Sequence, residues 1–383
     1  MGERLLTGKH LLQGDEACAE GAVAAGCNLF AGYPISPATE ISERLSWRLP
    51  QVGGIFCQGA DELDSLTIAI GAAWGGWKVM TATSGNGICL MQENIGYAAM
   101  SETPVVIVDV QRAGPGTGIA TKTMQGDLYQ VRYGSNADYA IIALGPESPQ
   151  ECFDLTVEAF NLAEEYRTPV FLLMDEIVGH MREQVIIPER VRLVERKKPT
   201  VPPDQFVPLR VPEGDGRVPV PPMPSFGDGY RMPVSSFART ETGAPSTAYE
   251  VQKRLVERLV HKVEDDVERL TRVEDGYLDN AEVAVVSYGS VARSMKRAVA
   301  QARQEGLKVG YARLITLWPF PDPYIRKLAS AVKAILVAEM SVGQLRREVE
   351  RAAGGQAEVA LLSKPGVALH TPGEILAAIK RLL

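Results

Sequence analysis

Along this chain, short runs rich in Val, Ile and Ala alternate with longer stretches whose apolar positions recur at helical spacing. The pattern predicts strands over 28–33, 55–58, 78–82, 105–110, 140–143 and 170–174. Between them it predicts helices over 16–26, 38–49, 62–74, 90–100 and 149–166. Strands alternating with helices of roughly 10–15 residues make a mostly parallel sheet covered on both faces, so the fold class is α/β. The first domain, residues 1–188, closes near Pro188.

The register then changes. Residues 188–245 hold roughly half of the prolines and little periodicity, which reads as an extended connector laid over the surface. A charged helix follows over 249–273, with Val256, Val260, Val263, Val267 and Leu270 at spacings of four and three. That repeat is short for a coiled coil, so the helix is expected to pack on its own subunit. Residues 189–280 thus form a connector region. Strands over 282–287, 308–314, 334–337 and 359–362 alternate with helices over 292–305, 322–329, 344–353 and 372–383, a second α/β domain spanning 281–383.

Composition narrows the function classes. With 383 residues and a net charge of −7, the chain is large enough for two or three cores and too acidic to favour nucleic acid as its main partner. No apolar run approaches the ~18 residues of a membrane span, and the start lacks the charged-then-apolar order of a signal peptide. Gly2 does not meet the acylation signal, because Leu6 stands where Ser or Thr is needed. Cys18, Cys27, Cys57, Cys89 and Cys152 are scattered without a Cys-x-x-Cys pair, which argues against zinc or an iron–sulfur cluster within this chain and fits a reducing cytoplasm.

Four stretches carry candidate chemistry. FAGYPISPATEI runs from a strand end into a helix, where prolines stiffen the turn and Ser36 offers a hydroxyl; open α/β sheets place ligands at such loops. Glu62 opens the helix of GADELDSLTIAIGAAWGG, either as a solvated capping charge beside Asp61 and Asp64 or as a buried carboxyl bonded to a nitrogen heterocycle. TSGNG, from Thr83 through Ser84, Gly85 and Asn86 to Gly87, lets a ligand approach the backbone, yet it is neither a phosphate-binding P-loop nor a dinucleotide fingerprint. Arg112, after the strand PVVIVDV, can fork onto a carboxylate ligand or form a salt bridge with Asp109 or Asp127. Gly114, Gly116 and Gly118 mark the loop behind it as one that moves or approaches a ligand.

The series GYPISPATE, GADEL, TATSGNG, VDVQRAGPGTG and QGD resembles the alpha subunit of the 2-oxoacid:ferredoxin oxidoreductases. It is most similar to the 2-oxoglutarate and branched-chain branch. The match continues through PVFLLMDE, RTETGAP, SYGS, ITLWPFP and VAEMSVGQL, covering nearly the whole chain in one order. The resemblance implies a parallel-sheet domain that binds the pyrimidine of thiamine diphosphate, then a domain like the transketolase C-terminal one. It implies that Glu62 bonds the pyrimidine nitrogen and favours the imino tautomer that activates the cofactor. It further implies that Arg112 clamps the substrate 1-carboxylate, that Ser36 (usually Thr) bonds substrate, and that Tyr33, Pro34, Ile35, Thr83, Ser84 and Gly85 line the cofactor. Asn86 departs from a common Pro, and Arg239–Thr240–Glu241 stands where relatives often carry His-Asp-Glu.

The family's magnesium motif is Gly-Asp-Gly with a following Asn. Gly214, Asp215 and Gly216, and Gly227, Asp228 and Gly229, lie in the connector with no Asn before Asn280, so both are rejected as metal sites. Magnesium and a [4Fe-4S] cluster are therefore expected on a beta subunit, with gamma or delta subunits open, and ferredoxin and coenzyme A meeting the complex. The expected reaction is oxidative decarboxylation of a 2-oxoacid to acyl-CoA, with reversal left open. 2-Oxoglutarate is favoured over branched-chain acids or pyruvate, and a non-redox transketolase-type subunit is the rival. Lys122, Arg231 and Arg239 are candidate cations for a distal carboxylate, each equally readable as a solvated charge, and a partner subunit is the alternative source of that cation.

Overall fold

The computed structural model describes residues 6–212 and 218–383. Gly2 and the triplet Gly214, Asp215, Gly216 lie outside the described residues. The first part runs β1 (Gly8–Gln13), α1 (Gly14–Ala24), β2 (Leu29–Gly32), α2 (Thr39–Gln51), β3 (Ile55–Gln58), α3 (Glu62–Trp74), β4 (Val79–Thr83), α4 (Gly85–Met100) and β5 (Val105–Ala113). It continues through β6 (Ile119–Thr123), α5 (Leu128–Tyr133), β7 (Ile142–Leu144), α6 (Pro149–Tyr166), β8 (Pro169–Asp175), α7 (Glu176–His180) and β9 (Arg182–Ile187). The main sheet has the order β7-β8-β5-β4-β2-β3, all parallel, with β6 paired antiparallel to β5. From β2 the chain passes outward to β3, and β4 returns on the opposite side of β2. The crevice beyond Gly32 and Thr83 is thus the topological switch point, where an open sheet receives a ligand.

All nine residues of β5 are buried, and their side chains alternate between two cores. Val106, Val108 and Val110 join a core with α1, α2 and α6. Val105 and Ile107 join one with α3 and α4 that continues through Trp318 and Phe320 into the C-terminal part. Both faces being apolar explains the uninterrupted Val-Ile run of this strand. At its end the same alternation carries polar groups, so Asp109, Gln111 and Arg112 are held at the sheet's carboxyl edge.

The described residues between β9 and α8 (Tyr249–Glu264) follow an extended path, with one 3₁₀ turn among them, Pro203–Gln205. Buried Arg196 ties this path to the first sheet, donating to Glu164 at 2.6 and 2.7 Å and to the carbonyls of Ala73 and Trp77 at 2.7 Å. The helix expected over 249–273 is shorter: α8 ends at Glu264 and a separate turn, α9 (Val267–Leu270), follows. Leu259, Lys262, Val263 and Leu270 are its buried positions, so it packs on its own chain.

The last part comprises β10 (Val273–Gly276), β11 (Val283–Ser287), α10 (Gly289–Gln304), β12 (Val309–Leu314), β13 (Thr316–Trp318), α11 (Asp322–Ala331), β14 (Ala334–Glu339), α12 (Gln344–Ala353), β15 (Glu358–Ser363) and α13 (Pro372–Leu382). Its sheet, β10-β12-β11-β14-β15, is parallel except for β10. Strand β13 leaves that sheet and pairs antiparallel with β7, extending the first one. Trp318 Nε1 donates to the Leu128 carbonyl at 3.0 Å, so the two sheets share an edge and a core. None of the helices among the described residues is long and apolar enough to cross a membrane.

Candidate functional site

The loop after β2 projects Tyr33, Pro34 and Ser36 outward, with Tyr33 40% exposed and Ile35 half-buried. Pro37 and Ala38 turn back into the core and start α2. Arg112 fixes this loop from below: its Nη1 donates to the Ser36 carbonyl at 2.7 Å, while its Nε is buried without a partner. No ion pair joins Arg112 to Asp109 or Asp127 among the described residues, so the salt-bridge alternative is not realised. Strand β5 runs to Ala113 rather than Val110 because β6 pairs with it, Arg112 opposite Thr123.

Glu62 is the first residue of α3 and only 4% exposed. Capping falls to Asp61, whose carboxylate accepts the Asp64 backbone N–H at 2.7 Å. Glu62 is therefore free of that duty, and Thr83 Oγ1 donates to its Oε1 at 3.5 Å. Gly87 faces it so closely that a Cβ there would lie 2.7 Å from Glu62 Cγ. Only glycine permits that approach.

Helix α4 begins at Gly85, inside the TSGNG loop, and not near Leu90 as its periodicity predicted. Gln130 holds this early turn by donating to the Gly85 carbonyl at 2.8 Å. A Cβ on Gly85 would come within 2.6 Å of Asp127 Oδ2. About half a turn of helix thus separates two close approaches, Gly87 toward Glu62 and Gly85 toward Asp127.

A cleft of about 310 Å³ opens beside Gly85, Asn86, Arg112, Asp127, Ser341 and Gln344. It brings Arg112 and Gly85 together. Glu62 and Thr83 sit on the other side of the α4 start and do not line it. Ser84 Oγ, Asn86 Oδ1, Arg112 Nε and Asp127 Oδ2 are buried polar atoms without protein partners. Burial pushes the Asp127 carboxyl up to about 6 against the pull of Arg112. Burial, with Asp127 nearby, raises Asp109 well above the usual carboxylate range.

The C-terminal part supplies one wall, which the sequence reading did not assign. Gln344 Nε2 donates to the Gly126 carbonyl at 2.6 Å, the Tyr129 N–H donates to Gln344 Oε1 at 3.1 Å, and Gln125 Nε2 donates to the Tyr288 carbonyl at 3.0 Å. Gly289 sits with φ of 58° against Asp175, whose Oδ2 accepts the Ser290 N–H at 2.8 Å. The signal was present: QGD, MDE, SYGS and MSVGQL are the segments that meet here.

The proposed cations fall apart in space. Lys122 is exposed on β6, one residue from Thr123, and Arg231 is exposed in the connector. Arg239 is bound within its own turn, its Nε donating to Ser235 Oγ at 3.0 Å and its Nη1 to the Gly243 carbonyl at 2.8 Å. Asp228 closes a turn by accepting the Ser225 N–H at 2.8 Å. The structure also assembles a group that no spacing announced: Asp15, Glu40 and His180, from three different helices.

A doubly wound sheet with a ligand crevice at its switch point, a buried glutamate and an arginine-lined cleft define a cofactor-dependent α/β protein. The chain belongs to the pyruvate flavodoxin/ferredoxin oxidoreductase family. The family's thiamine diphosphate-binding region matches residues 20–258, and core domain II of pyruvate:ferredoxin oxidoreductase matches residues 281–375. The chain is 52% identical to the 2-oxoglutarate synthase subunit KorA of Methanothermobacter marburgensis, over 97% of this chain and 98% of that one. It is 37% identical to the ketoisovalerate oxidoreductase subunit VorB of Methanothermobacter thermautotrophicus, over 97% of each. A solved structure of 2-oxoglutarate:ferredoxin oxidoreductase from Magnetococcus marinus, with 2-oxoglutarate, coenzyme A and succinyl-CoA bound, superimposes with a TM-score of 0.88 at 29% identity. That match covers 98% of this chain and 65% of the other. A split-gene transketolase, at 14% identity and a TM-score of 0.55, shares the fold alone.

Proposed function

We propose that this chain is the alpha subunit of a 2-oxoglutarate:ferredoxin oxidoreductase, converting 2-oxoglutarate and coenzyme A to succinyl-CoA and carbon dioxide while two electrons pass to ferredoxin. The observation that carries it is Glu62: a carboxyl 4% exposed, relieved of capping by Asp61 and packed against Gly87 at the start of α4. The 52% identity to a 2-oxoglutarate synthase subunit, against 37% to a ketoisovalerate one, supports the substrate.

The residues fit the pyrimidine end of thiamine diphosphate, on the buried Glu62 carboxyl and the buried, unpartnered Ser84 and Asn86 oxygens. When bound, the cofactor supplies the nucleophilic carbon and electron sink that decarboxylation of a 2-oxoacid requires. Glu62 holds a proton at Oε1 toward the ring, and Thr83 orients that oxygen. Tyr33, Pro34 and Ile35 offer an apolar wall at the sheet crevice. Arg112, desolvated and anchored at Ser36, forks onto the 1-carboxylate, and the Ser36 hydroxyl adds a hydrogen bond beside it.

Magnesium and the iron–sulfur cluster are assigned to partner subunits in the cytoplasm. Burial pushes the Cys18 and Cys27 thiols up to about 12, which suits packed thiols and not thiolate ligands. A beta subunit carrying the diphosphate site completes the cofactor pocket, and alone this chain binds the cofactor weakly. Steady-state rates of the assembled complex on 2-oxoglutarate, 2-oxoisovalerate and pyruvate, with coenzyme A and ferredoxin, test the substrate. A preference for 2-oxoglutarate of ~10²-fold or more in kcat/KM is expected, with the cation for the distal carboxylate supplied by a partner subunit, since a site that binds that carboxylate rejects acids lacking it. A preference for either other acid overturns the assignment.

A further inference from the structure

Behind the Ser36–Pro37 loop, three helix ends converge on one point. Asp15 stands in the first turn of α1, Glu40 in the first turn of α2, and His180 is the last residue of α7. One ligand atom from each lies within 4.8 Å of the other two. His180 Nε2 is 3.9 Å from Asp15 Oδ2 and 3.6 Å from Glu40 Oε2. Bonds of about 2.0–2.2 Å to one ion put tetrahedral ligand atoms roughly 3.4 Å apart, so both histidine distances lie within about half an ångström of that spacing, and the two carboxylates, within 4.8 Å of each other, close on the ion.

Asp15 supplies an independent sign of a ligand. It is fully buried, and neither carboxylate oxygen has a hydrogen-bond partner. A carboxylate without hydrogen bonds in a dry site is costly unless a cation meets it. Gly179, beside His180, clears the space: a Cβ there would sit 2.7 Å from Asp15 Oδ1. Across the imidazole, Glu176 Oε1 lies 3.3 Å from Nδ1. That is the carboxylate–histidine arrangement which fixes a ligating tautomer with Nε2 toward a metal. The Pro37 carbonyl, 3.2 Å from Nε2, offers a further oxygen. Glu40, with its side chain 35% exposed, leaves an entry path from solvent.

The geometry points to a divalent transition-metal site of the zinc type formed by Asp15, Glu40 and His180, with Glu176 orienting the histidine. A mixed nitrogen and carboxylate set selects such an ion over calcium or magnesium, which prefer oxygen alone. The site pins the Pro37 end of the loop whose Ser36 carbonyl anchors Arg112. It is a structural site, separate from the cofactor's magnesium and independent of the substrate assignment.

The test is calorimetric titration of the tag-free, chelator-treated full-length chain with zinc chloride. About one equivalent is expected to bind, and zinc is expected to raise the midpoint of thermal unfolding. His180→Gln and Glu40→Gln are each expected to weaken binding at least ~10–100-fold, the loss usual even for outer-shell changes. Glu40→Gln sits at the rim, so it keeps the test available if a buried variant fails to fold. Absence of saturable zinc binding by the wild-type chain overturns the site, as does unchanged affinity in folded Glu40→Gln. Either result leaves the cluster a proton-sharing ion network.

Discussion

Two buried charge clusters in this chain are built on opposite plans. Around Glu102, both carboxylate oxygens are answered: Oε2 accepts Arg258 Nη2 at 2.7 Å, Oε1 accepts Lys262 Nζ at 3.1 Å, and Lys262 also donates to the Arg167 carbonyl at 2.9 Å, while Arg258 Nε has no partner. Burial alone raises a carboxyl, yet Lys262, Arg258 and Arg167 outweigh it and hold Glu102 down at about 2. At the end of β5, Asp109 and Arg112 are buried and Asp127 is half-buried beside them, and both Asp109 oxygens, Asp127 Oδ2 and Arg112 Nε have no partners. The first cluster ties α8 to the sheet. The second holds groups at the crevice in a state that a bound ligand, and not the protein, satisfies.

The largest expected effect lies at the crevice and leaves stability aside. Glu62→Gln removes the proton-holding oxygen but keeps shape, so turnover of the assembled complex is expected to fall ~10²–10⁴-fold, the usual worth of a general acid–base group. Hydrogen–deuterium exchange at the cofactor's reactive C–H should slow in parallel. Unchanged exchange removes Glu62 from that role.

Glu102→Gln sharpens the comparison from the other side. It strands Lys262 and Arg258 in the interior, and breaking such a buried group costs about 3–5 kcal/mol. Lys262, held by burial at about 8 despite Glu102, is able to shed its proton, which places the loss toward the lower figure. Urea denaturation of the full chain reads it directly. Kinetic constants of the surviving folded fraction should not move, because Glu102 faces α8 and not the cleft.

Arg112→Lys follows in size. An ammonium cannot fork onto a planar carboxylate while also donating to the Ser36 carbonyl, so kcat/KM should drop by the equivalent of about 1.5–3 kcal/mol. The drop should be equal for every 2-oxoacid accepted, since all share the 1-carboxylate. An effect on one substrate alone assigns Arg112 to the side chain instead.

These two clusters were not equally legible in the chain. Helices with strong local punctuation were read to the residue: Glu62–Trp74 behind its Asp61 cap, and Pro149–Tyr166 behind Ser148, whose Oγ accepts the Glu151 N–H. The start of α4 was missed because Gly85, Asn86 and Gly87 are poor helix formers, and a tertiary bond from Gln130 overrides them. Strands β1 and β9 pair Gly8 with Ile187 across the whole first part, beyond any local signal. For the same reason Glu102 meeting Lys262, and Asp15 meeting His180, had no spacing to announce them. At the crevice, residue types gave Glu62 and Arg112 as chemistry. Which of their neighbours stay unpaired is a property of three-dimensional packing alone.

The smallest expected effect separates the clusters by the sign of their pH dependence. Glu102, lowered to about 2 in the fold from an ordinary value near ~4.3, binds fewer protons when folded; its stabilisation is present above ~4.3 and lost as pH falls toward 2. Asp127 runs the other way. Burial raises it to about 6, with Arg112 opposing, so the folded chain binds more protons than the unfolded one between ~3.9 and 6. Stability therefore declines across that window as pH rises, and the cost persists above it. Asp127→Asn deletes the ionisable group in nearly the same volume, so it should stabilise the chain at pH 7.5 by about 1 kcal/mol. That is less than the raised value alone suggests, because the attraction to Arg112 is lost with the charge. Below pH 4 variant and wild type should converge, with Asp127 protonated in both states. Thermal unfolding of the two proteins from pH 4 to 7.5 measures the gap. A gap that widens toward acid instead of toward neutral pH means Asp127 is a paired carboxylate like Glu102, and the contrast between the two clusters fails.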